Sequence, residues 1–175
     1  MRFVLSVIVL STGLVACSSA PPTREAAPSP SLATRGTAKQ AVANLASASA
    51  SLVSGRMMLA STGNGVRITG EVGGLNPYGA HALQLHERGD CSAVDASSAG
   101  VYFDPVRGSG AAAGNNRDRI VADGEGVAHV DQLVPGAVLG GGARNDIAGR
   151  ALVVLGATRG ASSARVACGV ITVKP

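Results

Sequence analysis

The feature that most constrains the fold is a series of short runs in which apolar and polar residues alternate, with glycines between the runs. Val66–Val72 shows the period of two that is typical of a β-strand with one buried face. Gly63-Asn64-Gly65, just before it, favours a tight hairpin turn. No segment carries an apolar stripe of helical period over three turns. Further strands are predicted at Ala41–Ala46, Ser54–Ala60, Ala82–Glu87, Gly126–Val130, Arg150–Leu155 and Arg165–Val173.

The stretch from Gly89 to Gly124 departs from this pattern. It is rich in Gly, Asp and Asn and has little periodicity, so it is predicted to be a long loop. Many short strands, glycine turns and one long loop favour an antiparallel β-sandwich or barrel. A chain of 175 residues, of which 15% are charged, can bury one sizeable core.

The N-terminus has the pattern of an export signal. Met1-Arg2 is positively charged, and the apolar run Phe3–Leu10 is far shorter than the ~20 residues of a membrane-spanning helix. The small residues before Cys17 resemble the lipobox of bacterial lipoproteins, in which cleavage precedes a cysteine that becomes lipidated. We therefore expect residues 1–16 to be a lipoprotein signal peptide. An ordinary signal peptide with a chance cysteine is the alternative.

The next segment is expected to be a tether. Residues 18–38 hold four of the eight prolines among Ala, Ser and Thr, and such a composition favours an extended chain without a core. Residues 17–38 are therefore interpreted as the lipidated cysteine with its tether, and residues 39–175 as the folded domain. Ser18 after the cysteine resembles lipoproteins of the outer membrane. We expect the domain to lie in the periplasm or at the cell surface.

The stock of possible metal ligands is small. Three histidines and three cysteines exclude centres that need four or more histidines, as well as multi-cysteine zinc and iron–sulfur frameworks. With Cys17 assigned to the lipid, Cys91 and Cys168 form an even pair in an oxidising compartment. They are either joined by a disulfide or present as two buried free thiols. Four aromatic residues disfavour nucleic-acid binding despite a pI near 9.4.

Several sequence blocks resemble, in order and spacing, the copper/zinc superoxide dismutase family in its bacterial secreted branch. The resemblance implies an eight-stranded Greek-key β-barrel with two functional loops. It also implies a disulfide between Cys91 and Cys168. The blocks are Gly74-Leu75, His81–Glu87, Gly89-Asp90-Cys91, Ser98–Pro105, Ile147–Val154 and Ala164–Ile171.

The same resemblance indicates which residues stand at the metal-ligand positions. The family places four histidines on copper, and one of these also bridges to zinc. In this chain only His86 falls on a copper position. Gln84 replaces another copper histidine, Tyr102 replaces the bridging histidine, and Leu155 replaces the fourth.

The zinc site is similarly incomplete. The family completes it with two more histidines and an aspartate. The corresponding positions fall near Gly110 or Ala111 and between residues 113 and 116, where the chain has no histidine. Asp118 is the candidate for the zinc aspartate, with Asp123 nearby.

Roles can be predicted for three further residues, for Arg165 and His81 from the resemblance and for His129 from its place on a predicted strand. Arg165 matches the arginine that orients superoxide in the family. Without copper we favour a structural role for it, as a half-buried arginine paired with a carboxylate or a backbone carbonyl. His81 is expected to be a hydrogen-bonded residue of the fold, and His129 a surface residue.

These expectations favour a cell-envelope lipoprotein that has lost most copper and zinc ligands and serves as a non-dismutase binding or structural module. No cofactor is expected. A first alternative is a divergent dismutase, converting superoxide to O₂ and H₂O₂, with a metal held by His86, Tyr102, Gln84 and either Asp104 or Glu87. A second alternative is a low-affinity periplasmic copper or zinc binder. The membrane is the expected partner, and a protein partner and a homodimer are left open.

Overall fold

The computed structural model describes residues 31–112, 116–156 and 164–175. The predicted signal peptide, Cys17 and most of the predicted tether lie outside these ranges. No helix in the described ranges is long and apolar enough to cross a membrane. The described residues form eleven strands and two 3₁₀ turns, Ser97–Ala99 and Asn116–Asp118. The strands are β1 (Gln40–Ser47), β2 (Ser54–Thr62), β3 (Gly65–Gly73), β4 (Ala80–His86), β5 (Phe103–Asp104), β6 (Gly108–Ser109), β7 (Arg119–Val121), β8 (Ala128–Pro135), β9 (Ala151–Leu155), β10 (Arg165–Val170) and β11 (Thr172–Val173).

Eight strands follow one another in a single antiparallel sheet. Their order is β7-β4-β9-β10-β1-β2-β3-β8, with β11 paired to the start of β1. Consecutive strands pair in the β1-β2-β3 meander and in β9-β10, whereas β3-β8, β4-β9 and β1-β10 are brought together by longer connections. Such crossings produce a Greek-key arrangement. The all-β, eight-stranded barrel predicted from the sequence is confirmed.

Alternating residues of the strands build the barrel core. In β1, the side chains of Ala41, Ala43 and Leu45 are buried, and the residues between them are more exposed. β3 buries Val66, Ile68 and Val72 in the same way. Because successive side chains of a strand point to opposite faces, one face of each strand supplies the interior. The period-two pattern in the sequence therefore fixes which residues face inward.

A second, smaller apolar cluster lies outside the barrel wall. Ala151 and Val153 of β9 are fully buried, although they lie on the face opposite to Leu152 and Val154. The loop after β4 covers them with Ala96 and Ala99, and Cys168 of β10 joins the cluster. A disulfide between Cys91 and Cys168 fixes this loop to β10, as the family resemblance implied.

The predicted long loop between Gly89 and Gly124 is only partly a loop. It contains β5, β6 and β7, and β7 pairs with β4 at Ala80–Ala82. The prediction of one continuous loop was wrong there. Strands of two or three residues are too short to show a period of two, so the sequence pattern gives no sign of them.

The last part of the predicted tether lies against the domain. Ala33 exchanges two hydrogen bonds of 2.8 Å with the buried side chain of Asn145. The amides of Thr37 and Ala38 donate to the carbonyls of Gly140 and Leu139. Contacts with the folded domain therefore begin before Lys39.

Candidate functional site

The outer face of the β4–β9 pair carries three of the four copper-ligand positions. Gln84 and His86 are two residues apart on β4 and point to the same side. Leu155 of β9 lies on the same face. It pairs with Ala82 of β4, which is two residues before Gln84. A β-bridge between His86 and Tyr102 adds the fourth position to this group. The strand pairing thus places Gln84, His86 and Leu155 on one face, with Tyr102 beside His86.

His86 is buried and held by one backbone carbonyl. Its Nδ1 lies 2.9 Å from the oxygen of Gly100. Because a carbonyl oxygen only accepts, Nδ1 carries the proton and Nε2 carries the lone pair of the neutral ring. Nε2 is buried without a hydrogen-bond partner among the described residues. Burial lowers the pKa of His86, and the nearby charge of Arg165 lowers it further, so the neutral ring is favoured.

Gln84 and Tyr102 bind a carboxylate. The Nε2 of Gln84 lies 3.5 Å from Oδ2 of Asp118, and the Tyr102 phenol is close enough to this carboxyl group to lower its pKa by hydrogen bonding. Asp118 is half-buried at the end of the 3₁₀ turn Asn116–Asp118. Burial raises its pKa, while the two hydrogen bonds act in the opposite direction. Burial, followed by the charge of Asp118, raises the pKa of Tyr102.

Asp118, rather than Asp123, is the aspartate of this group. Asp123 instead lies in the turn between β7 and β8, where its Oδ1 accepts hydrogen bonds from the amides of Glu125 and Val127. The composition of residues 123–126, Asp-Gly-Glu-Gly, is typical of a tight turn. We refer to Gln84, Tyr102 and Asp118 below as the polar cluster.

At the fourth of these positions, Leu155 places an apolar side chain that has no donor atom. Its half-buried side chain packs against the outer apolar cluster. Its backbone oxygen lies 3.2 Å from Nδ1 of His81, which is buried in the fold. His81 thus makes the structural hydrogen bond predicted for it. His129 is exposed, as predicted, with its ring 3.2 Å from Oε1 of Glu71.

Arg165 extends from β10 toward the loop that covers the outer cluster. Its Nη1 donates to the oxygen of Ala96 and its Nη2 to the oxygen of Gly100, both at 2.6 Å. The Gly100 oxygen therefore receives hydrogen bonds from both Arg165 and His86. The half-buried guanidinium is committed to two carbonyl groups, the arrangement expected of a structural arginine.

A cluster of metal ligands is absent from the described part of the chain. Within residues 31–112, 116–156 and 164–175, no three or more His, Cys, Asp or Glu side chains come together in a geometry that could hold a metal ion. Gly110 and Ala111 of the expected zinc loop lie in the described part. Residues 113–115 of that loop lie outside the described residues.

Two features near these positions were not identified from the sequence. Arg150 stacks over the ring of Phe103 at 3.5 Å from its centroid and donates to the oxygen of Glu87. A cavity beside the polar cluster is lined partly by Arg107 and Arg117. Both features join residues that are distant along the chain, so no local motif indicates them.

Comparison with known proteins agrees with the sequence resemblance. Residues 53–171 match the sequence profile of the family described as copper/zinc superoxide dismutase. The matched region begins just before β2 and ends between β10 and β11, so it includes the candidate site. No curated protein matches the chain.

Proposed function

This chain belongs to the copper/zinc superoxide dismutase family, and we propose on that premise that it is a lipid-anchored envelope protein that acts as a binding or structural module rather than as a dismutase. The observation that carries the proposal is the polar cluster. At two ligand positions of the family, Gln84 and Tyr102 instead interact with the carboxyl group of Asp118. Polar contacts between side chains can stabilise a fold without a metal ion.

The set of donors does not fit a copper centre that cycles between oxidation states. His86 offers a single imidazole lone pair, and Leu155 offers no donor atom. Amide and phenol oxygens are poor ligands for Cu(I), which favours sulfur and imidazole nitrogen. Burial and the charge of Asp118 raise the pKa of Tyr102, so its side chain is a neutral phenol rather than a phenolate. We therefore derive no redox step at this site.

Other candidate groups around the site are engaged elsewhere. Asp104, one of the carboxylates considered for a divergent metal site, forms an ion pair of 2.9 Å with Arg107. Arg165 donates to two backbone carbonyls. These contacts support a structural role for both residues. They weigh against a divergent dismutase.

The envelope assignment is carried by the N-terminal sequence. A short apolar segment, small residues before Cys17 and a proline-rich segment after it have the order of a bacterial lipoprotein precursor. Acyl chains at Cys17 would hold the domain at a membrane, since each buried methylene contributes about 0.8 kcal/mol. The serine after Cys17 favours the outer membrane.

A second candidate function is weak copper or zinc binding at His86. The observation that favours it is the unpartnered, buried Nε2 of this residue. A lone imidazole binds these metals only weakly. Such a site would act as a low-affinity buffer.

Metal analysis and a dismutase assay test the proposal together. The mature protein is extracted with detergent from the membrane fraction of an expressing bacterium, its Cu, Zn, Fe and Mn contents are measured, and superoxide consumption is followed. We expect far less than one metal ion per chain and no catalysed dismutation. Near-stoichiometric metal with rapid turnover would overturn the proposal.

Titration with Cu(II) and Zn(II) tests the second candidate. His86→Gln removes the free Nε2, while His129→Gln is the matched control at an exposed histidine. Weak binding that is lost in His86→Gln and kept in His129→Gln would support a buffer. Equal binding by both variants would exclude it.

A further inference from the structure

A cavity of about 300 Å³ extends into the barrel beside the polar cluster. Its floor consists of barrel-core side chains, and its entrance is formed by β8, by the segment from Tyr102 to Arg107 and by the 3₁₀ turn that ends at Asp118. Neither the family resemblance nor the proposed loss of metal assigns a role to this space. The floor residues are Ile68, Leu83, Leu85, Phe103 and Leu152, each at most 6% exposed.

The cavity exists because the barrel closes incompletely between β7 and β8. β7 covers only Ala80–Ala82 of β4. The side chain of Gln132 in β8 reaches the oxygen of Arg119, the first residue of β7, at 3.2 Å. β8 continues for three residues beyond Gln132, while β7 does not extend in that direction. The floor residues Leu83 and Leu85 are therefore reached through this seam.

The size and lining of the cavity define the kind of molecule that fits. A cavity of about 150 Å³ holds one benzene molecule, so the present one has room for roughly a dozen carbon atoms. Protein cavities with an apolar floor and a few polar groups at the entrance are typical ligand sites. Val106 and Leu133 at the entrance are 49% and 46% exposed, which extends the apolar surface outward. An apolar chain would bury both the floor and these two side chains.

The charges at the entrance cancel one another. Arg107 is paired with Asp104, and Arg117 lies next to the half-buried Asp118. A charged ligand at this entrance would lose its hydration. Whatever the sign of its charge, each pair of entrance residues would also contain one group that repels it. A hydroxyl group, in contrast, can both donate and accept, and Tyr102, Asp118 and Gln132 offer partners for it.

We propose that this cavity binds a small, uncharged apolar molecule of about eight to twelve carbon atoms that carries a hydroxyl group at one end. The inference rests on the proposed function as a binding module and supplies the class of ligand. The hydrocarbon contacts the floor at Leu83, Leu85 and Leu152. The hydroxyl group remains at the entrance near Asp118.

Binding of octan-1-ol to the EDTA-treated mature protein tests this inference. Titration calorimetry compares octan-1-ol with octanoate and octylammonium, which have the same chain and opposite charges. We expect octan-1-ol to bind at least tenfold more tightly than either ion. Hexan-1-ol should bind about fifteenfold more weakly than octan-1-ol, since each methylene contributes about 0.8 kcal/mol. Equal binding of the three eight-carbon compounds would contradict the proposed entrance chemistry.

A matched pair of variants locates the site. Val134→Phe places a ring in the cavity from β8, whereas Val121→Phe adds the same ring on β7, at a residue that does not line the cavity. We expect Val134→Phe to weaken octan-1-ol binding more than tenfold and Val121→Phe to leave it unchanged. In the unmutated protein, octan-1-ol should shift the methyl NMR signals of Leu83, Leu85 and Leu152. This second measurement does not depend on whether Val134→Phe folds.

The outcomes separate this inference from the proposed function. Absence of octan-1-ol binding, or methyl shifts confined to residues outside the cavity, would overturn the inference even if the protein is free of metal. Stoichiometric metal and rapid dismutation would overturn the proposed function even if octan-1-ol binds.

Discussion

Tyr102 and Asp118 depend on each other at the level of single residues. A carboxylate that is half-buried loses hydration, and this loss raises the pKa of Asp118. Hydrogen bonds from Tyr102 and Gln84 favour the ionised form and partly offset the loss. The tyrosine at a family histidine position is therefore explained by its contact with this aspartate.

Removing the Tyr102 hydroxyl group tests this dependence. Tyr102→Phe should raise the pKa of Asp118 further and lower the free energy of unfolding by about 1 kcal/mol at pH 7. The folded-state pKa of Asp118 lies above its unfolded value, so the protonated carboxyl group stabilises the folded state at low pH, and this stabilisation is lost as the pH rises through the folded pKa. The Tyr102 hydroxyl group helps the fold only when Asp118 is ionised. The free energy of unfolding that Tyr102→Phe loses should therefore be smaller at pH 3.5 than at pH 7 in urea unfolding. Tyr78→Phe, at the 80% exposed tyrosine, is the control and should change stability little at either pH.

His86 predicts a pH dependence of the opposite direction. Burial lowers its pKa below 6.5 in the folded protein, so the unfolded chain binds a proton more readily. Stability contributed by the neutral ring is present above pH 6.5 and is lost as the pH falls toward the folded pKa, at up to about 1.4 kcal/mol per pH unit. Urea unfolding between pH 7.5 and 5 should show this slope in His129→Gln but not in His86→Gln. The same slope in both variants would assign it to other groups.

At the level of the elements, sequence periodicity identified the strands that have enough length to show it. Val66–Val72 falls within β3, and Ala41–Ala46 within β1. The predicted run Arg165–Val173 divides at Ile171, because β10 lies between β9 and the end of β1, whereas β11 pairs with the start of β1. Such a change of partner depends on strands far away in the sequence, and no local pattern contains it.

The arrangement of the candidate site, like that of the strands, could be predicted only in part from the sequence. The two-residue spacing of Gln84 and His86 within one predicted strand is enough to place both side chains on one face. The role of Asp118 was less accessible, because its contact with Gln84 requires the short β7 to align with β4 and the preceding 3₁₀ turn to point inward. The cavity was not predictable at all, since it arises where β7 ends and β8 continues.

The disulfide is the element-level contact whose removal has the largest expected effect. The outer cluster that it closes consists mainly of alanines, which bury little apolar area. Linking residues 77 positions apart restricts the unfolded chain, and the chain-entropy model assigns about 4 kcal/mol to such a loop. The double variant Cys91→Ala/Cys168→Ala should lose about this free energy of unfolding in urea. Reduction of the unmutated protein should give a similar loss, and a loss below 1 kcal/mol in both would contradict the prediction.

At the scale of the whole molecule, the docked residues before β1 set where the chain leaves the domain. Ala33 is fixed by Asn145, and the oxygen of Ser31 accepts from the amide of Arg144. Arg144 also donates to the oxygen of Val106, which lines the cavity entrance. The chain therefore departs on the side of the barrel that carries the cavity. An anchor at Cys17 would keep this side within reach of a membrane.

The distance over which the anchor acts follows from the predicted tether. The fourteen steps from Cys17 to Ser31 span at most about 45 Å in an extended proline-rich conformation. Cys17→Ser should abolish acylation and move the protein from the membrane to the soluble envelope fraction, as measured by fractionation and by mass spectrometry of the purified chain. Ser18→Ala, at the next position, should keep the lipid and the membrane association. Because Cys17 precedes the predicted tether and the folded domain in the sequence, the free energy of unfolding of the released domain should equal that of the anchored protein in detergent. Membrane association of Cys17→Ser at the level of the unmutated protein would show that another part of the chain holds it there.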